Sequence, residues 1–171
     1  MLIFIIGMMG SGKTSLGKKL ARQLDYDFID IDETIESEEG KTISELFDIW
    51  GEEEFRIQEH SHLKKIGKLE NGVISTGGGL ACYHDNMSLM NQLGETLFLY
   101  ADSAFLASRL KQGKAGRPLI AELVDEELPG FVDALLKKRN PFYEQAKHII
   151  PSKDLKVSDV LELFLSKGLS F

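Results

Sequence analysis

Basic residues are in deficit: 20 Lys and Arg stand against 27 Asp and Glu, a formal net charge of −7 over 171 residues. A sequence-independent grip on nucleic acid or on an anionic membrane needs a basic surface, so neither partner is expected. Any anionic ligand must instead meet a local cluster of Arg and Lys. Cysteine is nearly missing. With Cys82 alone, an internal disulfide is excluded, which fits a reducing cytosol and a cytoplasmic location. Long apolar runs are missing too: "MLIFII" is too short to span a membrane, has no basic region before it, and leads straight into a glycine-rich stretch. There is no internal repeat, no low-complexity segment and no obvious interface stripe, so one compact monomeric unit is expected. What is present suffices for it, since 43% hydrophobic composition at this length is ample for one buried core.

Short apolar runs rich in β-branched or aromatic residues recur at Leu2–Ile6, Phe28–Ile31, Val73–Ser75, Thr96–Tyr100 and His148–Ile150, separated by stretches with helical spacing. Continuous apolar character predicts strands buried on both faces, and their alternation with helices predicts parallel βαβ crossovers in an α/β sandwich. Two insertions interrupt that rhythm. Residues 33–71 read as wholly helical: "TISE" (Thr42 to Glu45) is a capping-box pattern that starts one helix, and Gly51 separates "ELFDIW" from "EEEFRIQEHSHLKKIG". The stretch "KQGKAGRPLIAELVDEELPG" reads as a surface flap. The expected organisation is one domain, with a core of residues 1–32, 72–111 and 125–171, a helical substrate-binding region 33–71 and a lid 112–124.

"GMMGSGKT", Gly7 to Thr14, satisfies GxxxxGK[ST] between a strand and a helix. Its glycines, Gly7, Gly10 and Gly12, permit backbone angles closed to other residues, so that successive N–H groups turn inward on phosphate oxygens. The helix from Lys13 adds the positive end of its dipole. Lys13 would reach the β- and γ-phosphates and the Thr14 hydroxyl would bind Mg²⁺, with Ser11 and Ser15 beside them. The loop therefore holds a nucleoside triphosphate. It does not say what receives the phosphoryl group, because GTPases, motor ATPases and small-molecule kinases share it.

Other residues bear on the acceptor. In "DID", period-two geometry puts Asp30 and Asp32 on one side of a strand end, where Asp30 could serve Mg²⁺ and Asp32 could accept a proton; both could equally be helix-capping or solvated acids. In "FRIQE", Arg56 offers a planar fork for a carboxylate or phosphate, and Glu59, three residues on, could hold it; an ordinary surface ion pair has the same sequence. "STGGGL" carries Gly77, Gly78 and Gly79 at a strand's carboxyl end, where they allow close backbone approach or merely form a tight turn. Arg117 in "GRPL" could close over the transferred phosphoryl group, and Pro141 should interrupt or bend the helix just after Arg139 in "RNPFY", fixing that arginine's direction; either arginine could simply be solvated. His60, His62, Cys82 and His84 lack zinc-ligand spacing.

In their order, "GMMGSGKT", "DID", "FRIQE", "GGG", "GRPL" and "RNPFY" resemble the shikimate kinase family over almost the whole chain. The resemblance implies a P-loop, nucleoside-monophosphate-kinase-like fold: a three-layer α/β sandwich with a five-stranded parallel sheet in the order 2-3-1-4-5, a helical substrate-binding region and a lid. It implies ATP-dependent phosphorylation of the shikimate 3-hydroxyl, in the chorismate part of aromatic amino-acid synthesis, with Mg²⁺ as cofactor. By the same match, Lys13, Asp32 and Arg117 are catalytic. Gly10, Ser11, Gly12, Lys13, Thr14, Ser15, Arg109 and Arg117 bind ATP, Arg109 as an adenine-stacking residue. Thr14 and Asp30 serve the metal. Asp32, Arg56, Glu59, Gly77, Gly78, Gly79 and Arg139 bind shikimate, the two arginines on its carboxylate, with Phe47 and Phe55 as an apolar wall. The adenine loop is matched only loosely at Pro151 to Asp154, and the Met8–Met9 pair has no assigned role. Rival readings are a kinase of gluconate or of a nucleoside monophosphate, and a nucleotide-dependent switch without turnover.

Overall fold

The structure is a computed structural model that describes residues 1–112, 118–120 and 122–171. Five strands form one sheet: β1 (Leu2–Ile6), β2 (Phe28–Asp30), β3 (Gly72–Ser75), β4 (Gly94–Tyr100) and β5 (His148–Pro151). Their spatial order is β2-β3-β1-β4-β5 and every neighbouring pair is parallel. Parallel pairing forces each connection to cross a face of the sheet, and the crossovers are helices. These are α1 (Lys13–Leu24), α2 (Ile31–Glu39), α3 (Ile43–Ile66), α4 (Asn86–Leu93), α5 (Ser103–Leu110) and α6 (Leu128–Tyr143), while α7 (Val157–Ser166) follows the last strand.

The continuous apolar character of β1 follows from this layering. Leu2, Phe4 and Ile6 face one cluster, built with Leu63 of α3, Met90 of α4 and Val132 of α6. Ile3 and Ile5 face the other, built with Leu16 and Leu20 of α1 and Val160 and Phe164 of α7. All five residues are buried, so neither face of the strand tolerates a polar position. No helix among the described residues is long and apolar enough to cross a membrane.

The insertion after β2 is two helices with a break at residues 40–42, and the chain leaves α3 at Gly67, so residues 67–71 are not helical. The capping box at the start of α3 is formed: Glu45 N–H donates to Thr42 Oγ1 and Thr42 N–H to Glu45 Oε2. Gly51 breaks the helical path inside α3 at φ 77°, ψ 170°, a left-handed φ that suits glycine. Pro141 does not end α6, which continues to Tyr143. A proline in a last turn forfeits a single backbone bond, and Tyr143 anchors that turn by being fully buried.

Candidate active site

β1 delivers the phosphate loop at its carboxyl end, where ligands of open parallel sheets bind. Gly7, Gly10 and Gly12 all take positive φ, at 141°, 81° and 99°. A side chain at Gly7 would also strike the Leu99 carbonyl at 2.9 Å, so the loop both turns and packs tightly there. Lys13 is buried and folds back over the loop, its Nζ donating to the carbonyls of Gly7 (2.9 Å) and Met8 (3.1 Å). Gly10, Gly12, Lys13, Thr14 and Ser15 line one pocket with Arg109, and Ser11, Gly12 and Ser15 line a second with Arg109 and Ser152. The Ser11 hydroxyl is buried there and has no partner among the described residues, the state of a donor kept for a ligand.

Asp30 and Asp32 are both at the site, but not by strand alternation. β2 ends at Asp30, and Asp32 lies in the first turn of α2. Asp30 caps that helix through Oδ1, which accepts from the backbone N–H groups of Asp32 (3.1 Å) and Glu33 (3.4 Å). Its Oδ2 accepts from the Thr14 hydroxyl at 2.9 Å, and Ser75 Oγ lies 3.4 Å from the same hydroxyl. The capping alternative thus holds for Asp30 together with the metal-side placement. Carboxylate and hydroxyl oxygens beside a phosphate loop are the hard donors Mg²⁺ takes, and with so few of them the phosphates and water would complete its shell. Among the described residues no cluster of three or more His, Cys, Asp or Glu forms an all-protein metal cage.

Beyond the loop opens a cavity of about 280 Å³. Its wall carries Ile43, Phe47 and Phe55 as apolar surface and Asp32, Arg56, Glu59 and Arg139 as charge; Lys13, Thr14 and Asp30 share the same cavity. Phe47 and Phe55 stack with ring centroids 4.4 Å apart. Arg56 and Glu59 are no surface pair: their side chains are 6% and 1% exposed and Nη1 donates to Oε2 at 2.6 Å. The Arg56 Nε–H is buried and without a partner among the described residues. Arg139, also buried, has Met8 Sδ 3.7 Å from its Nη1 and no carboxylate pairing among the described residues. Glu59 and Glu52 act on its charge without touching it, so a bound anion could pair with it directly.

The three glycines after β3 leave room for these charges. A Cβ at Gly77 would lie 2.7 Å from Asp32 Oδ1 and 2.8 Å from Glu59 Oε1; one at Gly79 would lie 2.6 Å from Arg56 Nη1. At Gly78 the nearest atom would be Arg139 Nη1, at 3.2 Å. The turn is glycine because four side chains, Asp32, Glu59, Arg139 and Arg56, crowd it.

Electrostatics single out one acid. Burial, then the nearby Glu59 and Asp30 charges, push the Asp32 carboxyl up to about 7, against the pull of Lys13 and Arg56. The side chain still touches solvent, as the floor of an open cleft should. Burial also raises Glu59, although Arg56 opposes it.

Arg117 lies outside the described residues, as does part of the expected lid. Tyr143 is a site residue that the motifs alone did not reveal: its hydroxyl donates to the Gly78 carbonyl, and it is buried beside Arg139. Its place four residues after Arg139, on the same helical face, was the available signal. Met8 packs in the core against Arg139, and Met9 lines the cavity.

A family model described as shikimate kinase matches residues 9–167. The chain belongs to the shikimate kinase family. A shikimate kinase of Phocaeicola vulgatus is 46% identical over 90% of this chain and 88% of its own length. The crystal structure of shikimate kinase from Bacteroides thetaiotaomicron superposes with a TM-score of 0.91 at 43% identity, covering 98% of each chain. The shikimate kinase from Acinetobacter baumannii, solved in complex with shikimate, gives 0.89 at 34% identity over 99% of this chain and 95% of that one. Members of this family are ATP-dependent phosphotransferases, and the fold and order of strands expected from the motifs are those observed.

Proposed function

We propose that this protein transfers the γ-phosphoryl group of ATP to the 3-hydroxyl of shikimate, giving shikimate 3-phosphate and ADP. The observation that carries the reading is the meeting, in one cavity, of phosphate-loop Lys13 and Thr14 with Asp32, whose carboxyl is raised, and two buried arginines. Arg56 and Arg139 hold the acceptor's carboxylate, each charge-assisted bond contributing about 1.5–3 kcal/mol. The Gly77–Gly79 turn and Asp32 hold its hydroxyls, and Phe47 with Phe55 covers the ring. Ser11, Gly12, Ser15 and Arg109 hold the nucleotide. Thr14 and Asp30 would hold Mg²⁺, which would supply charge neutralisation at the phosphates.

Asp32 then accepts the hydroxyl proton as that oxygen attacks the γ-phosphorus; the new O–P bond forms in line with the breaking bond to the β–γ bridging oxygen, and ADP leaves. A carboxyl raised to about 7 is matched to that task near neutral pH. Lys13 stabilises charge on the transferred group, the role in which the family resemblance also puts Arg117.

Phosphorus NMR of the product tests the assignment. One new phosphomonoester resonance coupled to the ring proton at C3 is expected; coupling to another ring position, or no ester, would contradict it.

A further inference from the structure

We propose that Tyr83 and Glu52 form an outer brace that aims the Arg56 guanidinium, and thereby set the protein's preference for an acceptor bearing a free carboxylate. The proposal rests on reading Arg56 as the carboxylate clamp. Glu52 Oε1 accepts two bonds at once, from Arg56 Nη2 at 3.0 Å and from the Tyr83 hydroxyl at 2.9 Å. The Tyr83 ring also covers the guanidinium, its centroid 4.6 Å from Cζ, against 5.5 Å for Phe47 and for Phe55. Arg56 and Glu59 line the cavity, whereas Glu52 and Tyr83 do not. Their side of the guanidinium is the outer one: the Glu52 side chain is 54% exposed and Tyr83 is 38% exposed.

A half-exposed ion pair by itself adds little stability. Its effect here is on direction. A guanidinium carries five N–H groups in one plane, and that plane is set only when several partners hold it. Glu59 holds Nη1 from the cavity side, Glu52 holds Nη2 from outside, and the Tyr83 ring fixes the plane's tilt, while Nε–H is buried without a partner among the described residues. Burial pushes the Glu52 carboxyl up, but the bonds from Arg56 and Tyr83 outweigh it and hold the group low, so it stays ionised at neutral pH. Glu52 directly follows the Gly51 kink of α3, and Tyr83 follows the 3-10 turn Leu80–Cys82 behind the three glycines. The brace therefore ties the helical region to the glycine turn across the acceptor site, and Arg56 is aimed before the acceptor arrives.

The test uses the whole protein with Tyr83→Leu, Tyr83→Phe and Glu52→Gln, titrating shikimate and its carboxyl methyl ester by calorimetry and measuring kcat and the KM for ATP. Tyr83→Leu should weaken shikimate binding roughly tenfold, and the two milder variants roughly threefold, the span of a cation–π contact and one partly exposed hydrogen bond. The ester's affinity, kcat and the KM for ATP should each move less than about twofold, because an ester offers Arg56 no anion. Equal weakening of acid and ester, or no weakening of either, would overturn the brace while leaving the clamp in place. A native protein that fails to distinguish acid from ester would overturn the reading of Arg56 itself, and the brace with it.

Discussion

Burial raises the Asp32 carboxyl most, and the nearby charges of Glu59 and Asp30 add to it. A folded value of about 7 against an ordinary 3.8 means that the folded protein keeps a proton that the unfolded chain has already lost. Stability therefore falls as pH rises from about 4 to about 7, and the full penalty persists above that window. Asp32→Asn, which cannot ionise, should melt higher than the native protein at pH 8, by an amount on the order of a few kcal/mol, with the gap closing towards pH 4. The same variant should lose turnover by about 10²–10⁴-fold while binding ATP normally. Thermal melts across that range and steady-state rates check both; an unchanged melting temperature together with unchanged turnover would remove Asp32 from the account. Activity of the native protein should likewise decline below about pH 7 as Asp32 takes up its proton. For Arg56→Ala, shikimate affinity should drop roughly 10- to 100-fold and ATP affinity hardly at all, measured by calorimetry with each ligand.

At the scale of elements, glycine positions that look alike in sequence do different things. Gly94 opens β4, and a Cβ there would sit 2.3 Å from the Leu2 carbonyl oxygen, a backbone atom that cannot step aside. Gly94→Ala should cost about 2 kcal/mol or more in chemical denaturation. At Gly79 the obstacle is the tip of the Arg56 side chain, which can move. Gly79→Ala should melt within a few degrees of the native protein yet bind shikimate at least about tenfold more weakly, since the displaced guanidinium loses its aim. Melting curves beside shikimate titrations separate the two cases. The distinction also shows what sequence could and could not give. Apolar runs located the strands, most firmly β1 and β3, where burial of every residue leaves no other composition. The motifs named Arg56, Glu59 and Gly77–Gly79, but nothing local in "FRIQE" says that the pair is buried, and nothing in "GGG" says what crosses it. Asp32 was expected on a strand and stands in a helix, since Asp30 caps α2 and ends the strand one residue early. Tyr83 and Glu52 are 31 residues apart, a proximity only the fold creates.

For the molecule as a whole, the sheet places two anion-binding problems side by side. An acidic chain that binds a triphosphate and an anionic acceptor needs local positive charge, and Lys13, Arg56, Arg109 and Arg139 line the pockets proposed for the two ligands. Of the acids at the same rim, Asp30 caps α2, Glu59 pairs with Arg56, and Asp32 carries the raised carboxyl. The decisive measurement is ADP release from Mg-ATP by the purified protein with shikimate, gluconate, AMP or no acceptor added. Turnover with shikimate far above the other three conditions is the predicted result. Equal release in all four, or stimulation by gluconate or AMP in its place, would contradict the assignment of the cavity to a carboxylate-bearing shikimate acceptor.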